Sequence, residues 1–376
     1  MLSAFKRVMQ MPPRRELAGA EQRLFMILAA AMVLLVFYEA GPPMLGNLGT
    51  GFSGGTFLLV VHALVLMKFP AWTGAPTDRV PWYDWLTVAA STASLAYWIT
   101  EFSEIIARTG APTSGDLWFG SILVFVSLEV ARRCLGWPVA LIGLLAMLYG
   151  LFGNHFPIEQ FSHSGLSWTT LISGIYSLSG IFGFILSIVM TYVVMFVIVG
   201  AMLQAFGAGV LLVELPFALF GRVRGGPGIA SVAASTLFGM ISGSATANTA
   251  ATGAFTIPVM KRAGYPPHVA GAIEPAASTG GMFMPPIMGA GAFIMAEMTG
   301  VSYLTIVTIS LAPALIYFFS VAVSCYTEAG RYGLKTIPKG ELPALGPLLR
   351  RGWIYVVPIV MLIYLMMSGQ TPPRAA

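Results

Sequence analysis

Long apolar runs follow one another along this chain: Leu24 to Tyr38, Trp85 to Ile106, Leu117 to Val130, Trp137 to Phe152, Ile181 to Leu203, Tyr303 to Val323 and Trp353 to Met367. Each approaches or reaches the roughly 20 apolar residues a helix needs to cross about 30 Å of hydrocarbon. An eighth run, Thr56 to Met67, is short, and the uncharged glycine-rich stretch before it can lengthen the crossing. Ten-residue segments of alternating polarity are absent, which excludes a transmembrane barrel. The pattern predicts an all-α integral membrane protein.

Two later segments break the pattern. FGMISGSATANTAATGAFTIPVM, residues 238 to 260, has a middle made almost wholly of glycine, serine, threonine, asparagine and alanine. Directly after it, Pro267 to Ser278 reads as a helix, Thr279-Gly280-Gly281 unwinds it, Met284-Pro285-Pro286 restarts it and Ile287 to Met298 completes it. That is the pattern of a broken transmembrane helix. Small residues by themselves also suit close helix packing. Two adjacent interruptions at membrane depth argue further, because free backbone groups there must face protein or a water-filled cavity, as at the substrate and ion sites of secondary transporters.

Composition supports the membrane reading, with 57% hydrophobic and 9% charged residues against about 25% charged in soluble domains. Charge then sets a topology. With the basic leader (Lys6, Arg7, Arg14, Arg15, Arg23) cytoplasmic and each run crossing once, Arg108 and Arg374 alone of twenty Lys and Arg residues fall outside. The net charge of +5 thus reports topology and anionic-lipid contact and makes no case for nucleic acid. The first run resembles a signal peptide, but Glu39 followed by Gly41-Pro42-Pro43 replaces a small-x-small cleavage site, so it is read as an uncleaved anchor. Cys134 and Cys325 both map near the cytoplasmic face, where no disulfide is expected, and no metal-ligand spacing occurs.

Charge parity sharpens the first interruption. Arg222 and Arg224 precede it and Lys261 and Arg262 follow it, all expected on the cytoplasmic side, so the chain must return to the side it left. The 36 residues from Gly225 to Met260 are too few for two full crossings, which need about 40. A re-entrant hairpin results, with arms Gly228 to Ile241 and Ala247 to Val259 and a tip at Ser242 to Thr246. Leu211 to Leu219 and Glu328 to Arg351 read as surface-lying segments that brace it from the cytoplasmic side.

The tip offers hydroxyl and amide oxygens from Ser242, Ser244, Thr246, Asn248, Thr249 and Thr252, with Gly243 and Gly253 allowing turns and close approach. It carries no acid or base. Neutral oxygens and carbonyls freed by unwinding suit a hard monovalent cation, while helix N-termini at the breaks suit an anionic substrate. Glu274, an intramembrane carboxylate, is a candidate for proton or ion coupling, against the reading of a helix-end acid facing water. Glu101, Glu104 and Glu129 lie near span ends and point to docking or headgroup contact. His62 reads as a packing histidine. An intramembrane serine hydrolase built on Ser242 lacks a histidine base within reach, and an inert scaffold would not explain the paired breaks.

In order and spacing, RGG, GMISGSA, IPVMKRAGYPP, ASTGG and MPPIMGA within residues 222 to 303 resemble the first half of the large membrane subunit of tripartite ATP-independent periplasmic (TRAP) transporters, specifically the fused permeases of the TAXI branch. On this resemblance the chain divides into a cytoplasmic leader (1–23), a four-helix block similar to the small membrane subunit (24–133) and the first half of the large subunit (134–376), with hairpin 225–262 and broken helix 267–299. The resemblance implies a multi-pass permease of a bacterial inner membrane, with its N-terminus cytoplasmic. It implies solute received from an extracytoplasmic TAXI-type binding protein, an elevator motion and coupling to sodium, with a proton as the alternative. Small organic anions are the implied substrates. A cation role carries over to Ser242, Gly243, Ser244, Thr279 and Gly280, and a site-shaping or substrate role to Thr246, Asn248, Pro285 and Pro286. The family has two inverted repeats, and one is expected here, with the second half of the permease supplied by the same or a separate chain.

Overall fold

A computed structural model describes residues 14–41, 48–108, 110–334, 336–337, 340 and 342–370. Lys6, Arg7, Pro42, Pro43, Lys335, Lys339 and Arg374, all used in the charge and anchor readings, lie outside the described residues. Among the described residues every regular element is helical. Contacts divide the chain into two units, residues 1–190 and 191–376.

The first unit contains α1 (Gly19–Ala40), α2 (Thr50–Lys68), α3 (Trp82–Thr100), α4 (Phe102–Ala107), α5 (Ser114–Leu135), α6 (Trp137–Phe152) and α7 (Trp168–Ile175). An apolar stretch, Phe184–Ala205, follows, comprising α8 (Phe184–Ile188), a π-helical turn and α9 (Val194–Ala205). Among the described residues, seven helices are long and apolar enough to span a membrane, and they match seven of the eight expected runs. The exception is Trp85 to Ile106. It is divided at Glu101 into α3 and the six-residue α4, and serine, threonine and Asp84 make α3 more polar than the others.

A buried charge network closes one end of this unit. Arg15, wholly buried, pairs with the equally buried Asp84 and donates to the carbonyls of Leu66 (2.8 Å), Met67 (3.3 Å) and Pro76 (3.0 Å). Arg133 bridges Asp84 and Glu129, each at 2.7 Å, and Arg132 pairs with Glu129 at 2.7 Å. Guanidinium groups thus meet the carbonyl end of α2, where the helix dipole favours positive charge. Glu129 is accordingly an internal ion-pair residue, because Arg132 and Arg133 stand three and four residues away on its own helix. Glu101 lies 3.7 Å from Arg108, which also pairs with Asp116 at 2.9 Å. His62 is buried and shares a 2.8 Å hydrogen bond with Ser91, as a satisfied packing histidine would.

The second unit continues with α10 (Ala208–Phe220), α11 (Gly226–Ser242), α12 (Ala245–Arg262), α13 (Pro267–Gly280), α14 (Ala290–Thr299), α15 (Tyr303–Arg331) and α16 (Leu345–Met367). Helices α11 and α12 form a helical hairpin within residues 225–262, and both pack on α13. Helix α15 flanks α11 and α13, and α10 lies between α11 and α16. The core here gathers Val232, Met260, Tyr265, Ala277, Phe318 and Cys325. Tyr265 donates to the carbonyls of Gly225 (3.2 Å) and Cys325 (3.1 Å), fastening the base of the hairpin to α15. Cys134 and Cys325 are both free thiols.

Helices enter the expected surface segment Glu328 to Arg351 from both ends: α15 runs on to Arg331 and α16 starts at Leu345, with no α-helix among the described residues between them. The connecting residues do touch the hairpin's base. Ile337 N–H donates to Gly221 O at 3.1 Å, and a Cβ on Gly264 would meet Leu334 at 3.2 Å.

Candidate functional site

The hairpin turns in two residues. Gly243 ends α11 with φ 59°, a left-handed conformation that glycine adopts without a Cβ penalty, and its N–H returns to Gly239 O. Ser244 then caps α12, its hydroxyl accepting from Ala247 N–H at 3.3 Å. Ser244 N–H points to Ser242 Oγ at 3.4 Å. Ser244 and Thr246 are exposed and Ser242 is half-buried, so the hydroxyls of the tip reach the surface.

The broken helix meets this turn. Helix α13 runs through Thr279 and Gly280, a tighter turn covers Gly281–Phe283, and the non-helical stretch from Met284 to Gly289 is buried throughout. The Pro285–Pro286 peptide is cis and lies inside that stretch, and helix resumes at Ala290. The break therefore sits several residues later than expected. Thr279 and Gly280 still have i−4 carbonyls to bond within α13, whereas Pro285 and Pro286 supply no N–H and cannot restart the ladder.

Glycines let the two interruptions touch. A Cβ on Gly239 would fall 2.5 Å from Gly281 Cα, and one on Gly243 would fall 2.3 Å from Met288 O. A Cβ on Gly289 would lie 2.9 Å from Gly243 O. Unwound backbone is thus laid directly on the hairpin turn. Tyr303 holds it from behind, its hydroxyl donating to Ile287 O (2.5 Å) and Pro286 O (3.1 Å).

The expected residues separate into three groups. Ser242, Gly243 and Ser244 form the turn against Met288 and Gly289, with exposed Thr246 beside them on α12. Asn248 is buried behind the turn, donating to Ser235 O at 2.8 Å and so joining the hairpin arms. Pro285 and Pro286 shape the buried break. Thr279 and Gly280 face elsewhere: Thr279 is exposed and bonds back to Pro275 O at 2.8 Å, and Gly280 packs on the rings of Tyr317 and Phe318. The glycine that meets the hairpin is Gly281, because one residue turns a helix face by about 100°.

Glu274 is fully buried between α11, α12 and α13. Its Oε1 accepts from Ser235 (2.5 Å), Ser278 (3.2 Å) and Thr252, and its Oε2 accepts from Thr256 (2.5 Å). This overturns the reading of a helix-end acid facing water. Ser235, Thr256 and Ser278 were not singled out from sequence. The signal was present: Asn248, Thr252 and Thr256 recur every four residues, as do Ser231 and Ser235, and Glu274 and Ser278, each set on one helix face.

Residues 122–376 match the family model of the tripartite ATP-independent periplasmic transporter, DctM component. A putative TRAP transporter large permease protein of Haemophilus influenzae is 26% identical over 248 residues, covering 64% of this chain and 53% of the relative. The 2,3-diketo-L-gulonate TRAP transporter large permease protein YiaN of Escherichia coli is 25% identical over 247 residues, with the same coverage. The C4-dicarboxylate TRAP transporter large permease protein DctM of Pseudomonas aeruginosa is 30% identical over 182 residues, covering 48% of this chain and 42% of its own. The chain spans about half the length of the curated relatives it matches. These relatives are transport permeases rather than enzymes, which removes the hydrolase reading of Ser242. The matched region takes in the hairpin, the broken helix and everything packed on them: the chain belongs to the DctM-component family of TRAP transporters.

Proposed function

We propose that this chain is the permease component of a secondary active transporter that receives a small organic acid from an extracytoplasmic binding protein and imports it across a bacterial inner membrane, coupled to sodium. The observation that carries the reading is the contact between Gly243 and Met288, which puts a polar helical turn on buried, non-helical backbone. Serine hydroxyls at the turn and the carbonyls of the break are hard neutral oxygens, suited to a monovalent cation that must bind and leave. The helix N-termini at Ala245 and Ala290 are suited to an anionic solute.

On this reading α11 to α14 form the re-entrant hairpin and broken helix of one repeat, and they move as an elevator against a scaffold that includes the first four-helix block. A second repeat, in the same or a separate chain, completes the site, and the binding protein is of the TAXI type. The cation contacts come from Ser242, Gly243 and Ser244 with the carbonyls near Met288, while Gly280 acts through the packing of α13 on Tyr317 and Phe318.

Uptake of a labelled organic acid into proteoliposomes tests this. The vesicles contain the chain with the product of the adjacent downstream reading frame, and a secreted binding protein is added outside. Uptake that needs both the binding protein and an inward sodium gradient, and that falls in Ser242→Ala, supports the proposal. Uptake indifferent to the binding protein and to both sodium and proton gradients would sink it.

A further inference from the structure

We propose that Glu274 and the four hydroxyls around it form an enclosed cation site, distinct from the hairpin tip, in which one positive charge drawn from solution as a sodium ion or a proton balances the carboxylate. The inference deepens the coupled-transport reading and takes its place in the cycle from it. A carboxylate buried without a cation costs several kcal/mol in a low-dielectric interior. No described Lys, Arg or His pairs with Glu274, although the first unit gives its buried Asp84 two arginines. Helix α11 has no ionisable side chain, and those on the other packed helices point elsewhere. Lys261 and Arg262 are exposed in the last turn of α12, and His268 is exposed at the start of α13. On α15, Tyr317 donates to Ala276 O at 2.8 Å and Glu328 lies 3.6 Å from Arg331.

The donor set fits a cation. Ser235, Thr252, Thr256 and Ser278 are hydroxyls on three helices that converge on one carboxylate, an all-oxygen set with a single formal charge. Two of them have second acceptors within their own helix: Thr252 Oγ1 lies 2.8 Å from Asn248 O, and Thr256 Oγ1 lies 3.1 Å from Thr252 O. Each can swing its proton to that carbonyl and turn its lone pairs toward an incoming ion without orphaning a buried donor. If the charge arrives as a proton, it adds to a carboxylate oxygen, and a hydroxyl that had donated there becomes the acceptor. Either way, the bonds that tie both hairpin arms to α13 rearrange when the site fills. Asn248, which bonds Ser235 O from one side and receives Thr252 Oγ1 at 3.2 Å from the other, links this change to the turn.

The test uses the purified full chain in lipid nanodiscs and needs no transport. In one arm, sodium chloride replaces choline chloride at constant ionic strength, read by radioactive sodium binding and by the thermal unfolding midpoint. In the other, pH is varied without alkali metal, and the infrared carbonyl band of a protonated carboxyl is followed. The wild-type chain should show one of these responses, and the responding arm names the ion. Glu274→Gln should weaken sodium binding by about tenfold or more, since a charge-assisted ligand is lost, or abolish the titrating band. Ser278→Ala, which removes one hydroxyl, should shift the same midpoint by about threefold or more. Both responses unchanged in a monodisperse Glu274→Gln chain overturn the proposal. If that variant does not fold, unchanged midpoints in Ser278→Ala overturn it instead. A Glu274-dependent response without solute uptake would count against the transport reading alone.

Discussion

Gly239 and Gly281 meet backbone to backbone: a Cβ on Gly239 would lie 2.5 Å from Gly281 Cα, and a Cβ on Gly281 would lie 2.7 Å from Gly239 Cα. No side chain can fit between them. This contact sets how deeply the hairpin seats on the broken helix. Gly281→Ala should therefore destabilise the chain by about 1–3 kcal/mol and reduce uptake by about tenfold or more, a change that corresponds to only about 1.4 kcal/mol. Gly271→Ala is the control. It stands exposed in α13 with open space around its Cβ, and it should stabilise by about 0.5–1 kcal/mol. Thermal unfolding of the two variants side by side checks the pair. Equal effects would mean that close packing is not the cause.

Gly243→Ala combines two penalties, a left-handed φ of 59° and a Cβ 2.3 Å from Met288 O. The conformation alone costs about 1–2 kcal/mol. The clash is with backbone, which cannot rotate away. Cation-dependent stabilisation should drop in this variant while the far-ultraviolet helical signal is kept. A variant with wild-type cation response would show that the turn does not contribute to binding.

Tyr303→Phe keeps the ring stacked on Phe293 (centroids 4.4 Å apart) and removes only the hydroxyl that donates to Pro286 O and Ile287 O. Two buried carbonyls lose their donor, at a cost of about 1–3 kcal/mol. Hydrogen exchange followed by mass spectrometry should show faster exchange confined to peptides covering residues 284–292. Uniform loss of protection would contradict a local anchoring role.

Asp84→Ala leaves Arg15 and Arg133 buried without their shared carboxylate, a situation that costs about 3–5 kcal/mol. Arg331→Gln removes a solvent-facing pair, exposed Arg331 with half-buried Glu328 at 3.6 Å, and should change stability by less than about 1 kcal/mol. Denaturation curves of the two variants should differ accordingly. Similar curves would mean that the buried network is solvated and carries little of the unit's stability.

Much of this architecture was legible because membranes impose length and polarity on a helix. Seven apolar runs became seven helices of spanning length, and the polar stretch at 238 to 260 became a hairpin whose turn, Gly243-Ser244, falls inside the expected tip. Trp85 to Ile106 misled because its apolar tally conceals Glu101, where the helix divides. Glu328 to Arg351 was read as surface-lying from its mixed charges, and its described residues are mostly exposed, with α15 and α16 entering it from either end.

The site was half legible. Residue type alone drew attention to Ser242, Gly243, Ser244 and Asn248, because small polar residues stand out between apolar runs, and the structure places them at or directly behind the hairpin turn. It could not settle which of Thr279, Gly280 and Gly281 faces the hairpin, because adjacent residues on a helix point about 100° apart and the phase is set by packing on α15. Glu274 drew notice as a carboxylate in an apolar region, but its surroundings come from three helices. Ser235, Thr252 and Thr256 lie 39, 22 and 18 residues away in sequence. By itself, then, the sequence determined the local quantities: which segments are helical, where the backbone turns and which stretches are polar, all set by hydrophobic length, glycine freedom and proline's missing N–H. The tertiary structure alone decided what depends on helix phase and proximity: the Gly239 to Gly281 contact, the seating of Met288 on the turn and the enclosure of Glu274 by four hydroxyls.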